Sequence, residues 1–527
     1  MTRKNAQPIK PPGKMGLHQR TRLILSSRIL ERLSTAVALV SLLVMAGDTQ
    51  SVADAAEIRG GFSRVGKDSP LRHQNAVLTA LSDGRVLATG GVGFPSAESL
   101  APAIFDPASE SWTLTGNLVT DRNGHTATLL ADGRVLIAGG TNVTGPLDLA
   151  EVYNPVTGTW RSTGQMRGQR WGHTATLLPD GAVLVTGGRN WQGQVLASAE
   201  IFDPATGKWS SAAPITPARE HHTATLLKDG NVLVAGGGSD EAARTAEVFV
   251  SASGRWAAAG ELTTARYLHS AIALPDGRVM LAGGFGPGGA RATVEVFDPV
   301  KRTFSPLGTM LKARTDKPGL VLLEAGKVLV AGGLVFGLST VPGATRSAEV
   351  FDTSTGSSVL TGEMYSPRSL FQAVKLRSGK VLLPGGTSSA AELYDPSATI
   401  RATGPVRNLK AYEVGISKVI VVWDRPTDDG GSPAATYQLT VKPDGLTYEV
   451  PDDQRTGQVA YPVSVPGPGA SIGVSALNVA GRGPEISGEP GASGERAVEQ
   501  VPEAALEVEP PPHSSDLART FMAKLLR

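Results

Sequence analysis

The chain has 527 residues, no cysteine and a formal net charge of +2. This length exceeds what one hydrophobic core normally contains, so at least two domains are expected. The absence of cysteine excludes disulfides, cysteine-ligated zinc and thiol catalysis, and the near-neutral charge gives no reason to expect a nucleic-acid partner.

The two ends of the chain differ from the rest in composition. Residues 1–32 contain eight Lys or Arg and a single acid, and residues 33–47 are apolar and uncharged. This stretch is short for a bilayer span, which needs about 20 residues, and small residues suitable for cleavage follow at 53–55. We therefore predict a signal peptide over residues 1–55 and a secreted, periplasmic or cell-surface protein without stable membrane insertion; an uncleaved anchor is the alternative. Residues 491–527 are rich in Glu and Pro, which predicts a flexible tail.

Residues 60–404 contain a repeat with a period close to 50 residues. Its most regular part reads HTATLLADGRVLIAGG at 125–140 and recurs with few changes at 173–188, 222–237 and 269–284. Looser copies bring the number of Gly-Gly pairs to seven, and their first glycines are spaced 49, 48, 49, 47, 49 and 53 residues apart. A constant period of this length indicates stacked or radially arranged units.

Each unit predicts four short antiparallel strands. In the second unit an alternating strand at 125–130 precedes an Asp-Gly hairpin signal, and an apolar strand at 134–138 then ends at the Gly-Gly pair. A variable loop leads to a third strand at 150–153 and a fourth at 159–163. The apolar second strand must be covered on both faces, which is what neighbouring units can provide.

The units resemble kelch repeats. The pattern is carried by the paired glycines, by an aromatic residue in the third strand and, in four units, by a later tryptophan: Phe105 and Trp112, Tyr153 and Trp160, Phe202 and Trp209, Phe249 and Trp256. The resemblance implies an all-β fold with a seven-bladed kelch-type β-propeller, most similar to the bacterial and galactose-oxidase-like branch. The copper-radical cofactor of galactose oxidase needs a tyrosine crosslinked to a cysteine, so a chain without cysteine cannot form it.

Closing a ring requires its two ends to meet. Residues 62–66 and 400–404 both resemble the fourth strand of a unit, so the sequence offers eight such strands for seven units. We favour residues 62–66 as the strand that completes the last unit. The alternative is that they form a lead-in loop.

Residues 405–490 change character and resemble a fibronectin type III β-sandwich. The match is carried by Trp423, Tyr437 and an Ala-x-Asn-x-x-Gly run at 476–481. Ala470 stands where that family often has the tyrosine of its corner, so this corner should be less tightly held. The resemblance implies a spacer or binding module.

Strand alternation places the loops after Gly-Gly and the loops between units at one end of the ring, around the mouth of the central channel. Four units begin their first strand with Arg-x-x-His, and the third strands carry a repeated carboxylate. A residue repeated in four units is usually required for packing, and buried charges need partners. We interpret these histidines and glutamates as a structural ladder: His125, His173, His222 and His269 with Glu151, Glu200, Glu247 and Glu295. The alternative is that His and Arg converge on an anion or transfer protons.

Residues that differ between units on this face are better candidates for a ligand site. The aromatic and polar ones are Trp171, Trp191, His221, Tyr267 and Asp316, and the arginines beside them are Arg170, Arg219 and Arg266. Aromatic platforms with polar neighbours suit sugar rings. The alternative is that the apolar ones bury against adjacent loops.

The most economical function is a secreted, non-enzymatic binding protein that recognises carbohydrate or protein at the cell surface through this loop face. A glycan-active enzyme of oxidase, lyase or isomerase type using the channel mouth is one alternative, and a structural adhesin scaffold is another. No phosphate-binding loop, Gly-x-Ser-x-Gly or His-Glu-x-x-His motif occurs, and no spacing specific to a metal site appears. We therefore predict no cofactor and assign no catalytic or metal-ligating residue.

Overall fold

The computed structural model describes residues 59–65, 76–91, 101–238, 242–335, 343–385, 391–415, 418–442, 445–452, 458–465 and 470–488. All of them belong to the structural unit Ile58–Arg527. The predicted signal peptide (1–55) and tail (491–527) lie outside the described residues. Within the described ranges the one helical segment is a 3-10 turn, Ala242–Arg244, and no helix is long and apolar enough to cross a bilayer.

From residue 59 to residue 399 the described chain consists of short strands joined by turns and loops. In chain order the strands are β1 (Arg59–Arg64), β2 (Val77–Ala80), β3 (Val86–Thr89), β4 (Ala103–Asp106), β5 (Ser111–Leu114), β6 (Thr126–Leu129), β7 (Val135–Ala138), β8 (Thr141–Asn142), β9 (Gly145–Pro146), β10 (Ala150–Asn154), β11 (Thr159–Ser162), β12 (Thr174–Leu177), β13 (Val183–Thr186), β14 (Ala199–Asp203), β15 (Lys208–Ala212), β16 (Thr223–Leu226), β17 (Val232–Ala235), β18 (Thr245–Val250), β19 (Arg255–Glu261), β20 (Ser270–Ala273), β21 (Val279–Ala282), β22 (Phe285–Gly286), β23 (Gly289–Ala290), β24 (Thr293–Asp298), β25 (Thr303–Thr309), β26 (Gly319–Leu322), β27 (Lys327–Ala331), β28 (Leu334–Val335), β29 (Gly343–Ala344), β30 (Ala348–Asp352), β31 (Ser357–Leu360), β32 (Val374–Lys375), β33 (Val381–Leu383) and β34 (Glu392–Thr399).

These strands form seven four-stranded antiparallel sheets, in the orders β2-β3-β4-β5, β6-β7-β10-β11, β12-β13-β14-β15, β16-β17-β18-β19, β20-β21-β24-β25, β26-β27-β30-β31 and β32-β33-β34-β1. Three small hairpins, β8-β9, β22-β23 and β28-β29, lie in loops after second strands. The first strands of successive sheets contact each other, and β32 contacts β2. The first strands therefore line the inside of a closed ring.

The N-terminal strand closes this ring. β1 pairs antiparallel with β34, and Phe62 lies opposite Tyr394 with their ring centroids 5.0 Å apart. The preference for the N-terminal segment as the closing strand is thus confirmed, with the strand at 59–64 instead of 62–66. Residues 400–404 are not part of a strand. Because the first and last sheet-forming segments share one sheet, the ring cannot open without breaking strand pairing.

The Gly-Gly pairs stand where consecutive sheets touch. Gly139 and Gly140 have φ values of 61° and 89°, which glycine adopts readily. A Cβ on Gly139 would lie 2.6 Å from the Arg170 carbonyl oxygen and 2.7 Å from the His173 ring. The Gly140 amide donates to the same carbonyl at 2.9 Å. A larger residue here would push neighbouring sheets apart.

Where a repeat has an aromatic pair on its third and fourth strands, this pair packs its sheet against the one before it; in the sixth repeat Ser358 lies opposite Phe351 instead. Tyr153 and Trp160 lie opposite each other on β10 and β11, with ring centroids 4.7 Å apart. The Trp160 indole N–H donates to the Gly116 carbonyl of the preceding repeat at 2.8 Å. Trp209 and Trp256 make the corresponding bonds to the Gly164 and Ala213 carbonyls, both at 2.7 Å. These tryptophans therefore have a structural role, because they link each repeat to the preceding one.

The C-terminal part contains two further antiparallel sheets. Their strands are β35 (Arg407–Gly415), β36 (Lys418–Asp424), β37 (Thr436–Lys442), β38 (Leu446–Pro451), β39 (Gln458–Ser464), β40 (Ser471–Asn478), β41 (Gly481–Arg482) and β42 (Ile486–Gly488). One sheet is β35-β36-β39; the other is β38-β37-β40-β41, with β42 beside β40. Trp423 and Tyr437 are fully buried in a shared core, edge to face, with their centroids 5.2 Å apart.

Asn478 attaches this part to the end of the ring. Its side-chain amide donates to the carbonyls of Arg401 at 2.8 Å and Asp429 at 2.9 Å. The Tyr365 hydroxyl, from the ring, donates to the Asp429 carboxylate. The asparagine of the sequence run at 476–481 thus holds a loop and the ring's C-terminal end together.

Candidate functional site

Two sets of loops meet at one end of the ring. The Trp171 amide donates to the Arg189 carbonyl at 3.1 Å, and the Arg189 amide donates back at 2.9 Å. Tyr267 and Phe285 form the same bridge in the fifth sheet, at 2.9 and 2.8 Å. One partner of each bridge precedes a first strand and the other follows a Gly-Gly pair, as the sequence predicts. We call this end, which carries Trp171, Arg189, Tyr267 and Phe285, the mouth face.

Six residues on the mouth face, in successive repeats, have a left-handed backbone conformation. The φ values are 59°, 65°, 51°, 52°, 65° and 50° at Gly124, Gly172, His221, Leu268, Asp316 and Leu370. From sheet to sheet the backbones are linked: the His221 amide donates to the Gly172 carbonyl at 2.9 Å, and the Leu268 amide donates to the His221 carbonyl at 3.1 Å. The left-handed conformation is unfavourable for residues other than glycine, and it is maintained here by these hydrogen bonds between sheets. The bonds therefore hold the channel mouth in one shape.

The sixth repeat departs from the others by one residue. Three residues separate Arg314 from Pro318, whereas two separate Arg from His in four other repeats. Asp316 and the additional Lys317 are both left-handed, with φ values of 65° and 53°. The Lys317 amide donates to the Leu268 carbonyl at 2.9 Å, which continues the backbone chain. Burial lowers the pKa of four histidines from three other repeats, and the charge of Lys317 adds a smaller effect in the same direction: His173, His221, His222 and His269.

The repeated arginines form buried ion pairs within their own sheets. Arg170 is fully buried, and its guanidinium donates to Glu200 at 2.7 Å and to the Gly187 and Ser198 carbonyls at 3.0 and 3.1 Å. Glu200 also accepts the Arg167 amide at 2.8 Å, which holds the incoming loop. The equivalent pairs are Arg122–Glu151 (2.7 Å), Arg219–Glu247 (4.0 Å), Arg266–Glu295 (2.7 Å), Arg314–Glu349 (2.9 Å) and Arg368–Glu392 (2.5 Å).

This pairing corrects part of the predicted ligand site. Arg170, Arg219 and Arg266 stand next to mouth-face residues in sequence, but each side chain turns inward and is fully buried. A buried guanidinium is stabilised only beside an acceptor, and the third-strand carboxylates and glycine carbonyls supply it. We therefore assign these three arginines to the structural ladder and remove them from the ligand-binding set.

The repeated histidines connect neighbouring sheets. The Nε2 atom of His173 lies 3.1 Å from the Thr126 hydroxyl of the preceding sheet. The matching distances are 2.9 Å for His125 to Thr89, His222 to Thr174 and His269 to Thr223. Burial, with a smaller effect of Arg170, lowers the pKa of His173 well below its usual value, so the ring is neutral. The carboxylates of the ladder pair with arginines and the histidines with threonines, and both contacts support a structural role.

Trp171 and His221 form the inner aromatic part of the mouth face. Both are half-buried, and their rings meet edge to face with centroids 5.4 Å apart. Burial, followed by the charge of Lys317, lowers the pKa of His221 to about 4, so this ring too is neutral at physiological pH. Trp171 and His221 therefore adjoin each other at the mouth, and the charge of Lys317 acts on the His221 ring.

Trp191 and Tyr267 lie further out. Trp191 is 59% exposed, and its ring rests on Gly145 of the neighbouring loop, where a Cβ would lie 1.5 Å from the ring. Tyr267 is half-buried against Phe285, with the ring centroids 5.7 Å apart. The three predicted aromatic residues thus share one face, and Trp191 is the most accessible of them.

The sequence analysis did not select two residues of this face. Arg189 forms a two-point ion pair with Glu220, in which its Nε donates to Oε2 at 2.9 Å, and this pair ties the loop of Trp191 to the fourth sheet. Lys317 was also missed, although Asp316 beside it was selected. The usable signal for Lys317 was the additional residue between Arg314 and Pro318.

Comparisons with known proteins agree with this architecture. Residues 75–284 match the family model described as the KLHDC2/KLHL20/DRC7 Kelch-repeats domain. No curated protein matches the sequence significantly. Among solved structures, a fungal alcohol oxidase of the AA5 family in complex with copper superposes with a TM-score of 0.52 at 16% identity, covering 82% of this chain and 99% of that one. The chain thus contains a kelch-repeat domain in an all-β propeller fold of galactose-oxidase-like type, and at this identity the similarity concerns fold alone.

The copper of that oxidase has no matching ligand set in the described part of this chain. Among those residues no group of three or more His, Asp or Glu is placed to hold a metal ion. The repeated histidines that approach the mouth already contact threonines, and the sequence has no cysteine for a tyrosine crosslink. The residues present do not fit a copper-radical centre.

Proposed function

Given a kelch-repeat propeller of galactose-oxidase-like fold, we propose that the protein is a secreted, non-enzymatic binding protein whose mouth face recognises a carbohydrate or a protein at the cell surface. In this proposal the seven sheets are the blades of a seven-bladed propeller. Residues 405–490 are a fibronectin type III module that acts as a spacer or a second binding surface. The observation that carries the proposal is the aromatic composition of the mouth face.

The mouth-face aromatics differ from the repeated ones in what they contact. Trp209 donates its indole N–H to the preceding repeat and pairs with Phe202, so the propeller requires it. Trp171 and Trp191 stand in loops whose sequence changes from unit to unit, and both keep part of their surface accessible. Side chains that packing does not require, gathered on one face, are typical of a binding surface.

A carbohydrate suits this surface best. Sugar rings stack on aromatic faces and take hydrogen bonds at their edges. The neutral imidazole of His221 adjoins Trp171, and the Arg189–Glu220 pair supplies charged groups beside Trp191. Kelch domains generally mediate protein binding, so a protein ligand for the same face is the second outcome that the experiment must distinguish.

A glycan-active enzyme remains the alternative function. It is favoured by the oxidase identity of the fold neighbour and by Asp316, since burial raises the pKa of this carboxyl to about 6, within the range of a general acid. An enzyme would need further groups that converge on one substrate. The repeated histidines are not available as such catalytic groups, because each is neutral and contacts a threonine.

The test is a glycan array followed by calorimetry with Trp171→Ala and Trp209→Ala. Loss of Trp171 should weaken binding of the array ligand by about 1–3 kcal/mol, the effect of a central aromatic contact, with little loss of stability. Trp209→Ala is the matched control, because it should destabilise the fold and leave the affinity of the folded protein unchanged. An unchanged affinity for Trp171→Ala would refute the assignment of this face.

Secretion and catalysis need separate measurements. N-terminal sequencing of the mature protein should find a start near Ala56, whereas retention of residues 33–47 would support the membrane anchor. If an array ligand is chemically altered during incubation with the protein, the enzymatic function is supported and the non-enzymatic binding function is refuted.

A further inference from the structure

Lys317 is a cation without a countercharge in contact with it. Each of the six repeated arginines has a third-strand carboxylate within 4.0 Å, as described above. In the part of the chain that the structure describes, the Lys317 side chain forms no hydrogen bond or ion pair; burial lowers its pKa, and the charge of Asp316 opposes this shift less strongly.

The groups around Lys317 do not neutralise it. Burial keeps His173, His222 and His269 of three other sheets uncharged, and the charge of Lys317 adds a smaller effect on the pKa of each. His221 is also neutral, and the charges of the Arg189–Glu220 pair beside it balance each other. Below pH 6, where Asp316 is neutral, the channel mouth therefore has a net positive charge in an enclosed, weakly screened place, which favours an anion.

The position of Lys317 is held on both sides. Its amide is bonded to the Leu268 carbonyl at 2.9 Å, and the Asp316 carbonyl accepts the Leu370 amide at 3.0 Å. Two consecutive left-handed residues are costly, and the other described repeats form their sheets with one such residue at this place. The sheets of the other repeats form without this additional strained residue, and strain of this kind clusters at functional sites.

We propose that Lys317 binds the carboxylate of an acidic sugar, so that the mouth face selects hexuronates over neutral sugars. This rests on the proposed carbohydrate-binding function and names the substrate class of the same site. The sugar ring would lie against Trp171, and its carboxylate would form the ion pair that Lys317 lacks within the protein. A phosphate or sulfate group shares the charge, and these anions are separate arms of the test.

Asp316 makes this selectivity depend on pH. Burial raises the pKa of the Asp316 carboxyl to about 6, whereas the hydrogen bond from Ser369 and the charge of Lys317 lower it less strongly. Below pH 6 Asp316 is neutral, and a ligand carboxylate meets Lys317 without a competing charge. Above pH 6 the Asp316 carboxylate repels the ligand. The histidines do not change charge in this window, so a hexuronate should bind more tightly at pH 5.5 than at pH 7.5.

The experiment compares trigalacturonate with its full methyl ester by calorimetry on the mature full-length protein. The two probes have the same rings and differ in charge. We expect the wild type to prefer the acid by about 30-fold or more at pH 5.5, the factor that an enclosed ion pair supplies. Lys317→Gln should abolish this preference and leave the affinity for the ester unchanged, and Lys317→Arg should keep it. Asp316→Asn should make the preference independent of pH.

The outcomes separate this inference from the proposed function. If Trp171→Ala weakens both probes equally and the preference for the acid persists, both proposals are supported. If both probes bind equally to the wild type, or if Lys317→Gln keeps the preference, the inference is refuted while glycan binding stands. If neither probe binds, selection of hexuronates is refuted, and the array decides the proposed function. Displacement of trigalacturonate by inorganic phosphate or sulfate at equal concentration would show a general anion site and overturn the assignment to sugars.

Discussion

Replacing Asp316 by asparagine should stabilise the protein at neutral and alkaline pH, and this stabilisation should disappear at acidic pH. Asp316 is 8% exposed, and burial raises the pKa of its carboxyl from 3.8 to about 6. A shift of about two units corresponds to about 3 kcal/mol, at 1.4 kcal/mol per unit. Since the native state holds this proton more tightly than the unfolded state, the free energy of unfolding contributed by Asp316 falls as pH rises from about 4 to about 6. Asparagine carries no charge, accepts the Ser369 hydrogen bond and tolerates a φ of 65°.

Urea unfolding followed by tryptophan fluorescence between pH 4 and pH 8 measures this effect. The variant should be more stable than the wild type by about 3 kcal/mol at pH 8, and most of the difference should disappear by pH 4. Asp352→Asn is the matched control, because the hydroxyl and amide of Ser354 lower the pKa of that turn carboxyl. The control should be less stable than the wild type at neutral pH. Parallel pH profiles for wild type and Asp316→Asn would mean that Asp316 titrates normally, and the reasoning on its burial would be wrong.

Three further predictions concern the ring. Glu200→Ala should lower the free energy of unfolding by about 3–5 kcal/mol, because it leaves a buried guanidinium uncompensated, whereas Glu247→Ala, with its arginine at 4.0 Å, should cost less in the same urea titration. His173→Ala should lower the free energy of unfolding by about 1–3 kcal/mol and leave ligand affinity intact. Normal stability with lost binding would instead assign this residue to the ligand site. A chain beginning at residue 67 lacks β1 and should unfold at lower temperature than one beginning at residue 58, as calorimetry would show; equal transitions would contradict ring closure by β1.

Much of the architecture could be read from local patterns. Alternation, Asp-Gly turns and Gly-Gly ends predicted the four strands of a unit, and the strands of the second repeat, β6, β7, β10 and β11, lie within the predicted ranges or one residue beyond them. Strand alternation also predicted that the loops of Trp171 and Tyr267 share one end of the ring. These features depend on contacts between residues close in sequence, and seven repetitions make each pattern easy to recognise.

The candidate site was only partly predictable. The sequence identified Trp171, Trp191 and Tyr267, because they differ between units on a face that alternation had located. It also placed Arg170 there, although the guanidinium turns inward to Glu200, 30 residues away. Whether a side chain points to solvent or to a buried partner depends on which acceptor lies within reach, and adjacency in sequence does not decide that.

What the sequence by itself determined is therefore the period, the strands, the turn chemistry and the face that carries the variable residues, all of which follow from local backbone geometry. The tertiary structure alone decided that arginines pair with glutamates of the same sheet and histidines with threonines of the preceding one. It also decided that the charge of Lys317 acts on histidines of three other repeats. The arginine–glutamate pairs join residues about 30 positions apart in one sheet, and the other contacts join residues of different sheets. Only the folding of each sheet and the packing of the sheets around the ring bring these groups within the few ångströms over which hydrogen bonds and charges act.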